Sequence, residues 1–160
     1  FRSYVNPEKN TANREALTAL QQTIATEMGV EIVGQGERRG MSTADREAYD
    51  EAFRPVQEAV DARRAAEVDA VAPPVDVSDF VDHIDYLVNL IGIEHVGISS
   101  DFDGGGGVSD WNDASETFNV TLELVRRGYT EEEIGVIWTG NLLRVLDAVQ
   151  AVAAEIQAGS

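Results

Sequence analysis

His95-Val96-Gly97-Ile98-Ser99-Ser100-Asp101-Phe102-Asp103-Gly104, followed by Gly105, Gly106 and Gly107, is the stretch whose reading decides the fold. The apolar run over residues 96–98 is short, has a β-branched residue at each end and is bounded by turn formers. Such a run predicts a buried strand of a parallel sheet. Asp101 and Asp103 follow it directly, and carboxylates at the C-terminal end of a parallel strand stand where α/β folds bind their ligands. The four glycines after them let the backbone leave the strand steeply and keep the space above the carboxylates open.

On the N-terminal side, Phe80, Val81, Ile84, Leu87, Val88 and Ile91 recur at helical spacing. Ser78 is the expected cap and Gly92 the stop. Helix, tight turn and strand then make an αβ unit. On the C-terminal side, Phe118, Leu122 and Val125 predict a core-facing helical stripe that ends at Gly128. Thr130 and Glu133 have the spacing of a capping box, which opens a short helix with Ile134, Ile137 and Trp138. A last helix starts near Asn141, and its stripe of Leu142, Val145, Leu146, Val149, Val152 and Ile156 is expected to pack on the outside of the sheet.

The first half is helical in pattern. Leu17, Leu20, Ile24 and Met28 predict an amphipathic helix over 11–28, closed by Gly29. Residues 30–40 read as a loop around the basic pair Arg38-Arg39; its Gly34-x-Gly36 lacks the third glycine and the flanks of a dinucleotide fingerprint. Ser42 and Asp45 suggest a capping box for a second helix reaching to about residue 69, kinked or divided at Pro55. Pro73-Pro74 marks an extended linker.

The motifs DHIDYL (82–87), GIEHVGISSDFDG (92–104) and RRGYTEEEI…GNLLRVL (126–146), in this order, closely resemble the C-terminal end of the membrane (renal-type) dipeptidases, the zinc metallopeptidases of family M19 within the amidohydrolase-like TIM barrels. The resemblance covers residues 78–149. It implies an α/β fold, helix-rich, equivalent to about the last two βα units of a (β/α)8 barrel. Residues 1–160 would then be the C-terminal fragment of one barrel domain, since a complete barrel takes about 250 residues. Residues 1–5 would form the end of the seventh strand, where Arg2 and Tyr4 are candidates for substrate contact. Asp101 takes the place of the catalytic aspartate, which passes the proton of the attacking water to the leaving amine. Asp103 and Gly104 would shape the loop beneath it. Two zinc ions serve the family's reaction, and their His-x-Asp pair, bridging glutamate and two further histidines have no match here. The implied substrate is a dipeptide and the implied assembly a homodimer; the fragment alone is expected to be inactive.

Composition excludes other classes. The 160 residues carry 12 basic and 29 acidic side chains, a formal charge of −17, which argues against nucleic acid or an anionic membrane as partner. No cysteine is present, so thiolate metal sites and disulfides are excluded. No apolar run approaches the ~20 residues of a membrane span. The two histidines, His83 and His95, fall at opposite ends of the αβ unit, whereas zinc needs at least three converging ligands. A strand followed by Asp-x-Asp-Gly also mimics the nucleophile motif of haloacid-dehalogenase-like phosphotransferases. That chemistry needs a downstream lysine, and Lys9 is the only lysine. A calcium loop counted from Asp101 places Asn112 where a bidentate glutamate is required. The remaining alternative is a non-catalytic acidic binding protein of the same fold.

Overall fold

The computed structural model describes residues 1–159. They form two compact units, one of Phe1–Asn6 with the chain from Val75 onward, the other of Pro7–Pro74. All extended regular elements are helices. Among the described residues β pairing is confined to two isolated bridges, Asp76 with Ser109 and Val108 with Trp111.

The chain opens with a single helical turn, α1 (Arg2–Val5), where the resemblance implied a strand end. Tyr4 and Val5 donate to the Phe1 carbonyl, so local bonds satisfy a backbone that no neighbouring strand engages.

The Pro7–Pro74 unit pairs two long helices. In α2 (Pro7–Met28), proline takes the first position, where its missing N–H costs nothing. Residues 35–40, expected as loop, form the short helix α3 (Gln35–Gly40). Helix α4 (Thr43–Arg64) is capped by Ser42, whose hydroxyl accepts the Asp45 N–H at 3.2 Å. It runs through Pro55 as one helix and continues into a π-helical turn, Ala65–Asp69. Pro55 is exposed, so water can serve the carbonyl that proline leaves without a donor. Leu20, Ile24 and Ala25 of α2 bury against Val56, Val60 and Val68. Asn13 closes the unit by donating to the carbonyl of Ala72 at 2.5 Å.

In the other unit, α5 (Val77–Ile91) starts one residue earlier than its expected cap. Asp76, not Ser78, is the N-cap; Asp76 and Asp79 each accept the other's backbone N–H. Phe80, Val81 and Ile84 face the core as the periodicity requires, and Gly92 ends the helix at φ +88°. A 3-10 turn, Ile93–His95, follows. Val96 is buried and extended, with φ −108° and ψ 136°. The predicted strand over 96–98 nevertheless forms no ladder. A strand exists by exchanging N–H and C=O with a neighbour, and none of the described residues pairs with this run.

The unit's core centres on Trp111, only 1% exposed, with the rings of Phe80, Phe102 and Trp138 at 5.0, 5.3 and 6.4 Å. Helix α6 (Thr117–Arg126) packs on it through Val120 and Leu124, while Phe118 and Val125 are 69% and 54% exposed. The expected stripe of Phe118, Leu122 and Val125 is thus corrected by a partly polar inner face. Thr117 and Thr121 accept the indole N–H of Trp111 and Trp138 at 3.2 and 3.0 Å. Two hydroxyls that satisfy the indole donors of these packed rings offset the missing apolar area on that face.

The capping box of Thr130 and Glu133 forms as read and opens α7 (Glu131–Gly135). A π-helical turn, Val136–Gly140, leads into α8 (Asn141–Ala158). Asn141 anchors α8 by donating to the carbonyls of Ile93 and Val96, both at 2.8 Å. The expected packing of the α8 stripe is not seen. Leu142, Val145, Leu146, Val149, Val152 and Ile156 are between 47% and 71% exposed.

Candidate functional site

The Asp101 loop is built from its own backbone. Asp101 and Asp103 adopt left-handed conformations, φ +52° and +64°, which short polar side chains tolerate better than bulky ones. The Asp101 carbonyl accepts the N–H of Gly104 at 3.1 Å and of Gly106 at 2.8 Å, which folds residues 101–106 into a tight double turn. The glycines follow from this geometry. A Cβ on Gly106 would stand 2.0 Å from the Ser100 carbonyl oxygen, and one on Gly104 would stand 2.4 Å from Asp101 Oδ1. The Asp101 carboxylate therefore rests against the bare face of Gly104.

Two contacts fasten this loop to the unit. Ser100 Oγ accepts the Phe102 N–H at 3.3 Å, and the Phe102 ring meets Trp111 edge-on. At the far end Arg2 donates through Nε to the Gly107 carbonyl and through Nη2 to Asn112 Oδ1, each at 3.1 Å. Asp101, Asp103 and Gly104 are exposed on one loop, and Arg2 is brought to its base. Tyr4 is not brought there: it is 82% exposed on α1.

The described residues do not make a zinc site on their own. No group of three or more His, Asp or Glu among them could hold a metal ion, and three protein ligands are the minimum for a catalytic zinc. His83 and His95 are both exposed, one on α5 and one in the 3-10 turn.

A second constellation escaped the sequence reading. Arg127 Nη1 donates to Asp85 at 2.7 Å and also to Asp82, Nη2 to the Ser78 carbonyl at 2.8 Å, and Nε to Glu123 at 3.0 Å. Tyr129 donates its hydroxyl to the other Asp85 oxygen at 2.6 Å. Partial burial works against the Arg127 charge, yet the hydrogen bonds it donates to Asp85, Asp82 and Glu123 outweigh it and hold its pKa above the ordinary guanidinium value. Burial, and then the bond to Asp85, push the Tyr129 phenol upward as well. The available signal was the i, i+3 spacing of Asp82 and Asp85, which puts two carboxylates on one face of α5.

The three motifs are joined in space: DHIDYL is clamped by the Arg and Tyr of RRGY, and GNLLR reaches back to residues 93–96. Residues 17–160 match the model of the membrane dipeptidase family, peptidase family M19. The chain belongs to the membrane dipeptidase family. Dipeptidase aclJ of Aspergillus oryzae is 41% identical over 83 residues, 51% of this chain and 20% of that protein. Dipeptidase 3 of Rattus norvegicus is 40% identical over 78 residues, 48% of this chain and 16% of the relative. The crystal structure of the probable dipeptidase PvdM from Pseudomonas aeruginosa superposes with a TM-score of 0.50 at 33% identity, covering 90% of this chain and 34% of that one. The chain thus spans about a fifth of the length of these curated relatives and a third of the solved one. Within the membrane dipeptidase family, this region is helix-rich.

Proposed function

We propose that this chain is the C-terminal portion of a zinc-dependent dipeptidase with a (β/α)8 barrel, and that Asp101 is its proton-transfer group. Its substrates are dipeptides. The Asp101 carboxylate accepts the proton of the water that attacks the scissile carbonyl and returns it to the departing amine. Asp103 and Gly104 shape the loop that presents this carboxylate, and Arg2 braces the loop at Gly107. Zinc is held by residues in the part of the family's length that this chain does not span, so the described residues alone hydrolyse nothing.

One observation carries the reading. In a chain of this family, Asp101 sits in a left-handed turn closed by two glycine N–H groups, its carboxylate exposed over Gly104. The left-handed turn favours a short polar side chain, a need that Asn would meet as well, so the turn alone does not call for a carboxylate. The test is dipeptide hydrolysis and zinc content of the full-length protein with and without Asp101→Asn. Activity lost with zinc retained supports the reading. A full-length protein that binds no zinc and cleaves no dipeptide would assign the chain to a non-catalytic member.

A further inference from the structure

The Pro7–Pro74 unit carries a feature that the dipeptidase reading does not use. A surface cavity of about 440 Å³ is lined by Gln35, Arg38, Arg39 and Arg46. In a chain with 29 acidic and 12 basic side chains, every charged group lining this cavity is an arginine. Arg38 is held in place from two sides, by an ion pair with Asp50 and by the Tyr49 ring 5.5 Å beneath its guanidinium. Arg46 is tethered to the Met41 carbonyl at 3.5 Å. Neither Arg39 nor Arg46 has a carboxylate partner among the described residues, although Arg63, Arg64, Arg126 and Arg127 all do. Asp50 offsets the charge of Arg38, which leaves two uncompensated guanidinium groups and the Gln35 amide around the same space.

We infer that this cavity is a binding site for a small molecule bearing an oxyanion group, a phosphate or a carboxylate. A guanidinium presents parallel N–H donors that match two oxygens of such a group, and the two uncompensated ones lining this volume supply the charge, with the Gln35 amide as a further donor. The volume lies within the range of small-ligand sites. The lining residues all belong to α3 and α4, so the site shares none with the Asp101 loop.

The test titrates the whole chain calorimetrically with inorganic phosphate and, separately, with acetate at fixed ionic strength. The same titrations are run on Arg39→Gln/Arg46→Gln and on Arg14→Gln, which removes an exposed arginine on α2 away from the cavity. Circular dichroism verifies that both variants keep their helices. Saturable binding of either anion, weakened about tenfold or more in the double variant and unchanged in Arg14→Gln, is the expected result. Phosphate alone or acetate alone identifies which group the site takes. No saturable binding of either anion, or an equal loss in Arg14→Gln, overturns the inference.

Discussion

Arg127 donates to Asp85 at 2.7 Å across 42 residues of sequence, and the same guanidinium reaches the Ser78 carbonyl at 2.8 Å. One side chain after α6 therefore holds the first and third turns of α5. With Tyr129 on the other Asp85 oxygen, the carboxylate is bound on both sides. This clamp fixes the angle at which α5 meets α6, and with it the position of the 93–107 segment that α5 leads into.

Arg127→Ala should destabilise this unit by about 2–3 kcal/mol, since it strands carboxylates at a half-buried contact. Arg127→Lys should recover only part of the loss, because an ammonium cannot bond Asp85, Ser78 and Glu123 at once. Urea unfolding followed by tryptophan fluorescence measures both, as Trp111 and Trp138 lie in this unit.

The alkaline limb of stability should depend on Tyr129. Its phenol pKa is raised in the folded state, so its contribution is fully present below the ordinary tyrosine value near 10 and is lost as pH rises through the folded value. The groups facing it are Asp85, Arg127 and Glu133. Tyr129→Phe should lower stability by about 1 kcal/mol at pH 7 and flatten the decline above pH 10. A pH series of melting temperatures for both proteins reads this directly.

Much of this organisation was legible in the residues. Thr130 and Glu133 cap α7, Asn141 opens α8 and Gly92 ends α5, because caps and stops are local chemistry. One cap was misplaced by local chemistry, and the rest of what failed was decided by packing partners away from the pattern itself. Asp76 displaced Ser78 as cap by pairing reciprocally with Asp79. On α6, apolar spacing pointed to Phe118 and Val125, but Thr117 and Thr121 turn inward to serve the two indoles. Residues 96–98 have the composition of a strand and lack a paired neighbour. At the candidate site, Asp101 was singled out by its place after the 96–98 run and by the family motif around it, while the contact of Arg2 with Gly107 joins residues 105 apart that no spacing relates.

Two glycine substitutions should separate the loop's fold from the placement of its carboxylate. A Cβ at Gly106 meets backbone of Ser100 and Asp101 at 2.0 and 2.5 Å, so Gly106→Ala should destabilise by about 2–4 kcal/mol. At Gly104 the clash is with the movable Asp101 carboxylate. Gly104→Ala should therefore cost about 1 kcal/mol or less while turning that side chain away. Thermal unfolding compares the two, and a crystal structure of Gly104→Ala shows the carboxylate.

Trp111→Ala should cost about 3–5 kcal/mol, since it empties the space at which Phe80, Phe102 and Trp138 meet and leaves the Thr117 hydroxyl without its donor. Trp138→Phe, at the edge of that cluster, should cost less than half as much. Urea midpoints by circular dichroism rank the pair.

The most direct test of the central claim is kcat for a dipeptide in the full-length protein carrying Asp101→Asn, beside Asp103→Asn, with bound zinc measured in each. If Asp101 transfers the proton, its variant keeps the metal and loses about 100- to 10,000-fold in kcat, while the Asp103 variant loses far less. Undiminished kcat in Asp101→Asn would contradict the account.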